Sequence, residues 1–271
     1  MVLFQFNNNY YNQNIYKKTT IVNNHTINND INIIIHFSTI QSRFNYLSNV
    51  LDSLAKQTTN IYKIIITTSI KDNRYNNHNI LYDYCKKYEK SFEVYIQILD
   101  EYDFGSNNKI IGAIKYIKDN KIDDNYCVLI CDDDLIYNNN LLLSYREMLC
   151  ENKNIVYTHF RTDKPRLNNI KHHLQGADTY LLPQLFFEKT KLEDYINYLN
   201  LSITNCPSTF FQDDYVISFY LYKYANIDVK PVKNNKSYNE SVCLRNIEQL
   251  HLSNKLNERE NSTIKYFNSI M

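Results

Sequence analysis

In the stretch Tyr126-Cys-Val-Leu-Ile-Cys-Asp-Asp-Asp134, six apolar residues run directly into three consecutive carboxylates, a pattern that indicates the fold class. A short continuous apolar run predicts a strand that is buried on both faces of a sheet. Open α/β sheets bind their ligands beyond the carboxyl ends of such strands. We therefore expect Asp132, Asp133 and Asp134 at the ligand-binding edge of a mainly parallel sheet.

Three adjacent carboxylates repel one another unless a cation lies close to them. Mg²⁺ and Mn²⁺ take oxygen ligands, and Mg²⁺ is usually held by one or two carboxylates together with substrate phosphates. The acid triplet therefore predicts bound Mn²⁺ or Mg²⁺ and a phosphate-bearing substrate. An Asp-rich turn that merely follows a core strand is the alternative at this point.

Strand patterns and helix patterns alternate on both sides of this stretch. Apolar runs predict strands, and apolar residues at helical spacing predict helices. The alternation predicts an α/β fold with a doubly wound, Rossmann-like, mainly parallel sheet flanked by helices. Ser106 is the expected N-cap of the helix before the acid-tipped strand. The predicted strands are 31–37, 61–66, 92–99, 126–131, 155–157, 179–182 and 227–232, and the predicted helices are 44–57, 80–88, 110–117, 192–199, 215–224 and 247–267.

The chain is predicted to have three parts. Residues 1–30 are polar and Asn-rich, which indicates an N-terminal arm or edge strands. Residues 31–233 carry the regular pattern of one α/β domain, and 271 residues suffice for one substantial core. Residues 234–271 are polar and are predicted to form a C-terminal helical tail.

Composition excludes several classes of function. The net charge is +1 and no Lys/Arg-rich run occurs, so a nucleic-acid partner is not expected. With 3 glycines in the chain, neither a P-loop nor a dinucleotide-binding loop can be found. No apolar run approaches the roughly 18 residues of a transmembrane segment. The 6 cysteines show no C-x-x-C spacing, which predicts buried free thiols in a reducing compartment. We expect a cytoplasmic protein, in the host cytoplasm if the gene is viral.

Five blocks of the sequence, in order, resemble motifs of the GT-A glycosyltransferases of the family-2 type. The acid triplet resembles their D-x-D motif. Gln212-Asp-Asp-Tyr-Val-Ile-Ser218 resembles their E-D-x-x-x-S block, with Asp213 in place of Glu. The resemblance covers about residues 31 to 232. Its other blocks are Ser38-Thr-Ile-Gln-Ser-Arg43 with the helix after it, Asp103-Phe-Gly-Ser-Asn-Asn-Lys109 with Ser106 in place of a proline, and the acceptor-loop-like Gly176-Ala-Asp-Thr-Tyr180.

The resemblance implies a role for each matched residue. It implies that Asp134 and Asp132 bind the metal ion, with Asp132 also near the ribose, and that Asp214 is the catalytic base, with Asp213 as the second candidate. His251 would be a third metal ligand. The residues implied to contact the nucleotide are Ser38, Thr39, Arg43, Asp103, Lys109, Asp132 and Asp133.

The implied activity is inverting, metal-dependent transfer of a sugar. The donor would be a UDP- or GDP-linked sugar, and the acceptor a hydroxyl of a glycan, a protein or a small molecule. A sugar nucleotidyltransferase and a non-catalytic nucleotide-sugar-binding module remain alternatives. Capping and the helix macrodipole also explain acids at a helix start, so Asp213 and Asp214 have a purely structural alternative. For Lys109 the alternative is a solvated charge on a helix face.

Overall fold

A computed structural model describes residues 30–69, 78–100, 103–122, 125–159, 166–174, 179–232, 238–241 and 256–271. The predicted arm 1–30 therefore lies outside the described residues except for Asp30. His251, Cys243 and residues 176–178 of the acceptor-loop-like block also lie outside them.

The order of the elements follows the predicted alternation. The strands are β1 (Asn32–Ser38), β2 (Lys63–Ser69), β3 (Val94–Leu99), β4 (Tyr126–Ile130), β5 (Leu135–Tyr137), β6 (Val156–Thr158), β7 (Tyr180–Pro183), β8 (Val229–Pro231) and β9 (Tyr238–Ser241). The helices are α1 (Phe44–Ala55), α2 (His78–Lys86), α3 (Asn108–Asn120), α4 (Leu141–Leu149), α5 (Gln184–Lys189), α6 (Leu192–Asn205), α7 (Asp213–Tyr220) and α8 (Leu256–Ser269). Short 3-10 turns at Gln41–Arg43, Gly105–Asn107 and Pro207–Phe211 precede α1, α3 and α7.

Seven strands form the main sheet in the order β3-β2-β1-β4-β7-β6-β8. The pairs β1–β2, β2–β3, β1–β4 and β6–β8 are parallel, while β7 runs antiparallel to both of its neighbours. The strand order reverses between β1 and β4, since the chain builds outward to β3 and then returns to the other side of β1. This reversal opens a crevice at the carboxyl ends of β1 and β4, where ligands bind in folds of this type.

Hydrophobic cores cover both faces of the sheet because the central strands alternate their side chains between two helical layers. In β4, Val128 and Ile130 face the layer that contains α3, α6, α7 and α8. Cys127 and Leu129 face the layer that contains α1, α2 and α4. The predicted α/β class, with a doubly wound, mainly parallel sheet flanked by helices, is confirmed.

Some elements differ from the sequence prediction. Helix α4, helix α5 and the two-stranded β5–β9 pair were not predicted. Within the predicted helical tail 234–271, residues Tyr238–Ser241 form strand β9, and α8 buries Phe267 completely in the core. Ser106 is not the N-cap of α3: that position is Asn107, and the Ser106 hydroxyl contacts the carbonyl of Phe210. The Ser106 side chain therefore makes a tertiary hydrogen bond instead of capping α3.

The described cysteines are free thiols, as predicted. Cys85, Cys127, Cys131 and Cys206 are buried, but Cys150 is exposed at the end of α4, so burial was wrong for that residue. None of the described helices is both long and apolar enough to cross a membrane.

Candidate active site

The candidate site lies in the crevice where β1 and β4 end side by side. His36 pairs with Ile130 in the register of these strands, and the backbone NH of Cys131 donates to the His36 carbonyl at 2.9 Å. Beyond this pair, β1 ends at Ser38 and is followed by Thr39, while β4 is followed by Cys131 and the acid triplet. The sheet therefore brings two predicted nucleotide-binding blocks, which are almost a hundred residues apart in sequence, to one edge.

Lys109 joins the acid triplet to the second acid pair. Its ammonium lies 2.8 Å from Asp132 Oδ1 and 2.8 Å from Asp213 Oδ2. Lys109 is 5% exposed and Asp213 is 7% exposed, whereas the Asp132 side chain is 28% exposed. The solvated helix-face alternative for Lys109 is therefore wrong, because this lysine is a buried bridge between two carboxylates.

The electrostatics of this bridge follow from burial and charge. Burial alone would lower the pKa of Lys109, but Asp132 and Asp213 together hold that pKa well above its usual value. Burial raises the pKa of Asp213, and the neighbouring Lys109 ammonium only partly offsets the effect. The lysine is therefore a cation, and its charge favours the ionised form of Asp213 against the effect of burial.

Arg43 supplies a second cation to the acid triplet. Its Nη1 lies 2.5 Å from Asp133 Oδ1 and 3.6 Å from Asp134 Oδ2. Asp133 is buried, while Asp134 is partly exposed. The repulsion within the triplet is thus relieved in part by protein side chains, Lys109 on one side and Arg43 on the other, which the sequence argument did not anticipate.

Tyr137 fixes the backbone at the first acid. Its hydroxyl accepts a hydrogen bond from the backbone NH of Asp132 and donates one to the Asp132 carbonyl, both at 2.8 Å. Tyr137 is completely buried, and its own NH donates to Ser53 Oγ at 3.0 Å. The strand end that carries the acids is therefore anchored to helix α1.

His36 of β1 and Thr67 of β2 form a buried hydrogen-bonded pair near Lys109. His36 Nε2 and Thr67 Oγ1 are 2.8 Å apart. Burial, with a smaller contribution from the Lys109 charge, lowers the pKa of His36 to about 3, so the ring is neutral. Gly112 of α3 lets the helix approach this pair, since a Cβ atom there would lie 2.2 Å from Thr67 Oγ1. The close approach brings the first turn of α3, which carries Lys109, against the sheet.

Hydrogen bonds to the Asp103 side chain stabilise the turn before α3. Asp103 Oδ1 accepts hydrogen bonds from the Gly105 NH at 3.1 Å and from Asn108 Nδ2 at 2.9 Å. Gly105 has a φ of +60°, and a Cβ atom there would lie 2.5 Å from the Phe210 carbonyl oxygen. Asp103 therefore shapes the turn, and the turn packs against the segment that leads into α7.

Asp213 and Asp214 are the first two residues of α7, and the N-cap is Gln212. Neither acid is the N-cap residue, so N-capping does not explain why they are acids. The structural explanation that remains is a favourable interaction of their carboxylates with the helix macrodipole. Asp213 is turned inward to Lys109, whereas Asp214 is partly exposed. Ser218 Oγ donates to the Asp214 carbonyl at 2.6 Å and accepts from the Leu174 NH at 2.8 Å, which ties α7 to the segment before the acceptor-loop-like block.

A complete metal centre is not formed by the described side chains alone. Among them, no group of three or more His, Cys, Asp or Glu residues is arranged to hold a metal ion. His251 lies outside the described residues, so its predicted role as a ligand stays a prediction. Asp132 and Asp134 are both partly open to solvent at the strand end. Two carboxylates of this kind fit a Mg²⁺ or Mn²⁺ ion whose remaining ligands are substrate phosphates and water.

No role was predicted for four residues of the site. His36, Thr67 and Tyr137 lie within apolar or strand-like runs, where they look like core residues, and Tyr180 was noted only as the end of the acceptor-loop-like block. Tyr180 is completely buried, and its pKa is raised well above the usual value by burial, with the charges of Lys109 and Asp213 acting in opposite directions. A polar residue near the carboxyl end of a buried strand was the available signal for His36 and Thr67.

Comparisons with known proteins show similarity only at the level of solved structures. No family model matches the chain, and no curated protein matches it significantly. Residues 1–349 of S. aureus TarS match with 14% identity and a TM-score of 0.46, and the same protein in complex with UDP matches with 14% identity and a TM-score of 0.49. Each match covers 77% of this chain, and the chain spans 60% of the length of that protein.

A nucleoside-diphosphate-sugar pyrophosphorylase from Vibrio cholerae RC9 also matches, with 13% identity and a TM-score of 0.36. That match covers 62% of this chain and 78% of the other. Similarity at this level carries no argument about activity.

Proposed function

We propose that the protein is an inverting glycosyltransferase of the GT-A type, which moves a sugar from a UDP- or GDP-linked donor to a hydroxyl acceptor. The observation that carries the proposal is the Lys109 bridge. It brings the acids after β4 and the acids at the start of α7 to one buried ammonium at the ligand-binding edge of the sheet. Acids at these two places could hold a donor-bound metal ion and supply a general base, respectively.

The donor diphosphate would lie against the ends of β1 and β4. Ser38, Thr39 and Arg43 line the β1 side of this edge, and Lys109 reaches it from α3. Cations suit the diphosphate because charge-assisted hydrogen bonds to phosphate are strong. Asp103, which closes the turn before α3, would face the nucleoside.

A divalent ion would be held by Asp134 and Asp132, with Asp133 kept in place by Arg43. The four carboxylates of Asp132, Asp133, Asp134 and Asp213 contact two cationic side chains, which leaves two negative charges when all are ionised. The neighbouring Asp214 carboxylate adds to this excess, which one Mg²⁺ or Mn²⁺ ion would reduce. When bound, such an ion would neutralise the charge that develops on the departing diphosphate.

Asp214 would take the proton of the acceptor hydroxyl as it attacks the anomeric carbon. Its partial exposure at the start of α7 suits a group that must meet an incoming substrate. Asp213 is less suited to the step because it is buried against Lys109. Its role would be to hold the lysine beside the donor.

The proposal is tested by donor binding and turnover. UDP- and GDP-linked sugars are screened with Mn²⁺ for thermal stabilisation and for release of the nucleoside diphosphate. A ligand at a hundredfold excess over its Kd stabilises by about 2.7 kcal/mol, which a melting assay resolves. Asp134→Asn should remove the Mn²⁺-dependent part of the stabilisation, and the exposed Asp83→Asn serves as its control.

Three outcomes separate this activity from its alternatives. Sugar transfer to an added hydroxyl acceptor supports the proposal. Formation of a nucleotide sugar from a nucleoside triphosphate and a sugar phosphate would instead identify a nucleotidyltransferase. Donor binding without any turnover would identify a binding module.

A further inference from the structure

The C-terminal helix α8 packs along the segment that presents the acid pair. Ser208 Oγ and Thr263 Oγ1 are 2.9 Å apart, and the Arg259 guanidinium lies 4.3 Å from the centre of the Phe211 ring. Further along, the rings of Phe219 and Phe267 stack with their centres 4.7 Å apart. Contacts thus run from the 3-10 turn before Asp213 through the body of α7.

A polar cluster made of Arg166, Tyr215 and Glu260 lies within this contact. The Tyr215 hydroxyl donates to Glu260 Oε1 and accepts from Arg166 Nη1, the latter at 2.8 Å. Arg166 also forms an ion pair with Glu260. Burial raises the pKa of Tyr215 to about 12, so its hydroxyl remains a donor. Tyr215 directly follows Asp214, so the cluster acts on the first turn of α7.

The other side of the Tyr215 ring is also held. His173 stacks on it with ring centres 5.5 Å apart and an angle of 16° between the planes. Tyr215 is therefore fixed at its tip by α8 and at its face by the segment that carries Leu174, which is itself bonded to Ser218. Such fixation leaves little freedom for the backbone that carries the Asp214 carboxylate.

We propose that Glu260 and Tyr215 are positioning residues that hold Asp214 in place for proton abstraction, so that α8 is part of the catalytic apparatus. This inference rests on the proposed role of Asp214. Misplacement of a reacting group by about 1 Å can lower the rate by roughly 10²-fold, even when the change lies away from the chemistry. The three residues of this cluster are not among those proposed to bind the donor.

The test compares Tyr215→Phe and Glu260→Ala with matched controls in the 271-residue chain. Glu258→Ala removes an exposed carboxylate from the same helix, and Tyr84→Phe removes a hydroxyl that bonds to Asn45 on the remote side of the molecule. Glu260→Gln keeps an acceptor oxygen for the Tyr215 hydroxyl. The measurements are kcat, the donor KM and amide hydrogen exchange in α7.

Tyr215→Phe and Glu260→Ala should lower kcat by roughly 10- to 100-fold with an unchanged donor KM. Exchange of the hydrogen-bonded amides of α7, beginning with the Val216 NH that donates to the Gln212 carbonyl, should rise by roughly 10-fold, the usual effect of losing a hydrogen bond to a charged group. Glu260→Gln should recover most of the rate, and both controls should behave like the unchanged protein.

The inference is overturned if kcat and α7 exchange in Tyr215→Phe match those of Tyr84→Phe. It is also overturned if the variants lower the melting temperature but leave kcat unchanged, because the cluster would then be purely structural. Should Glu260→Ala fail to fold, Tyr215→Phe decides alone, since it removes one oxygen and leaves α8 intact. Absence of transfer by the unchanged protein would overturn the proposed function instead, and α7 exchange would still show whether the cluster holds the helix.

Discussion

Replacing Lys109 with methionine removes the cation that two carboxylates share, and this change tests the Lys109 bridge most directly. Breaking a buried ion pair from one side costs about 3–5 kcal/mol, because a buried charge is left without a partner. The Asp132 side chain is 28% exposed and can regain water, whereas that of Asp213 is 9% exposed and cannot. We therefore expect a loss of about 3 kcal/mol in the free energy of unfolding, the lower end of that range.

Lys115→Met on the same helix is the matched control. Lys115 Nζ lies 2.7 Å from Asp119 Oδ2, nearly the same distance, but these side chains are 34% and 56% exposed. Such a surface pair contributes about 0–1 kcal/mol. The two variants therefore contrast a buried lysine that bridges two carboxylates with an exposed lysine that pairs with one carboxylate on its own helix at a similar distance.

The loss at Lys109 should depend on pH. Burial already raises the pKa of Asp213, and without the lysine only the smaller effect of the Ser106 hydrogen bond opposes that increase. A carboxyl whose folded pKa lies above its unfolded value of about 3.9 carries no penalty below that value, and the penalty grows as the pH rises toward the folded pKa. The destabilisation should therefore be largest near pH 7 and should shrink toward pH 4.

Urea unfolding followed by circular dichroism at both pH values measures these differences. For a chain of this length, about 3 kcal/mol corresponds to a decrease of roughly 6–12 °C in the melting temperature. A loss at pH 7 no greater than that of Lys115→Met, or a greater loss at pH 4 than at pH 7, would show that no buried bridge exists.

Three further predictions follow from the site. Asp214→Asn should reduce transfer by roughly 10²–10⁴-fold while changing stability by less than about 1 kcal/mol, because the acid lies in the first turn of α7 rather than at its N-cap; transfer near the normal rate would exclude it as the base. His36 has a pKa lowered to about 3, so the unfolded chain takes up its proton first as the pH falls below about 6.5. Between pH 7 and pH 5 the protein should lose about 2 kcal/mol more stability than His36→Asn, and equal losses in urea unfolding would contradict the buried neutral ring. Gly112→Ala should cost about 1–3 kcal/mol, since its Cβ meets Thr67 Oγ1 at 2.2 Å, and an unchanged melting temperature would refute that close approach.

Fold class was accessible from the sequence because it depends on local periodicity. The apolar runs 31–37 and 126–131 gain stability only as strands covered on both faces, which already requires helices on two sides of a sheet. Elements with weaker patterns were missed. Helix α5 lies in a run that continues directly from β7, and β9 is stabilised by pairing with β5, a partner about a hundred residues away.

For the candidate site, the amino-acid pattern alone identifies the acids at strand and helix ends, because an uninterrupted apolar run leaves its polar residues only at its terminus. Which of the charges meet depends on tertiary packing. Lys109 looks like any helix-face lysine along the chain, yet close packing at Gly112 and Gly105 brings it between Asp132 and Asp213. Ser106 looks like an N-cap, yet its hydroxyl contacts Phe210. Spacing along the chain predicts local structure, but the pairing of buried charges depends on distances between distant segments, which only the packed fold sets.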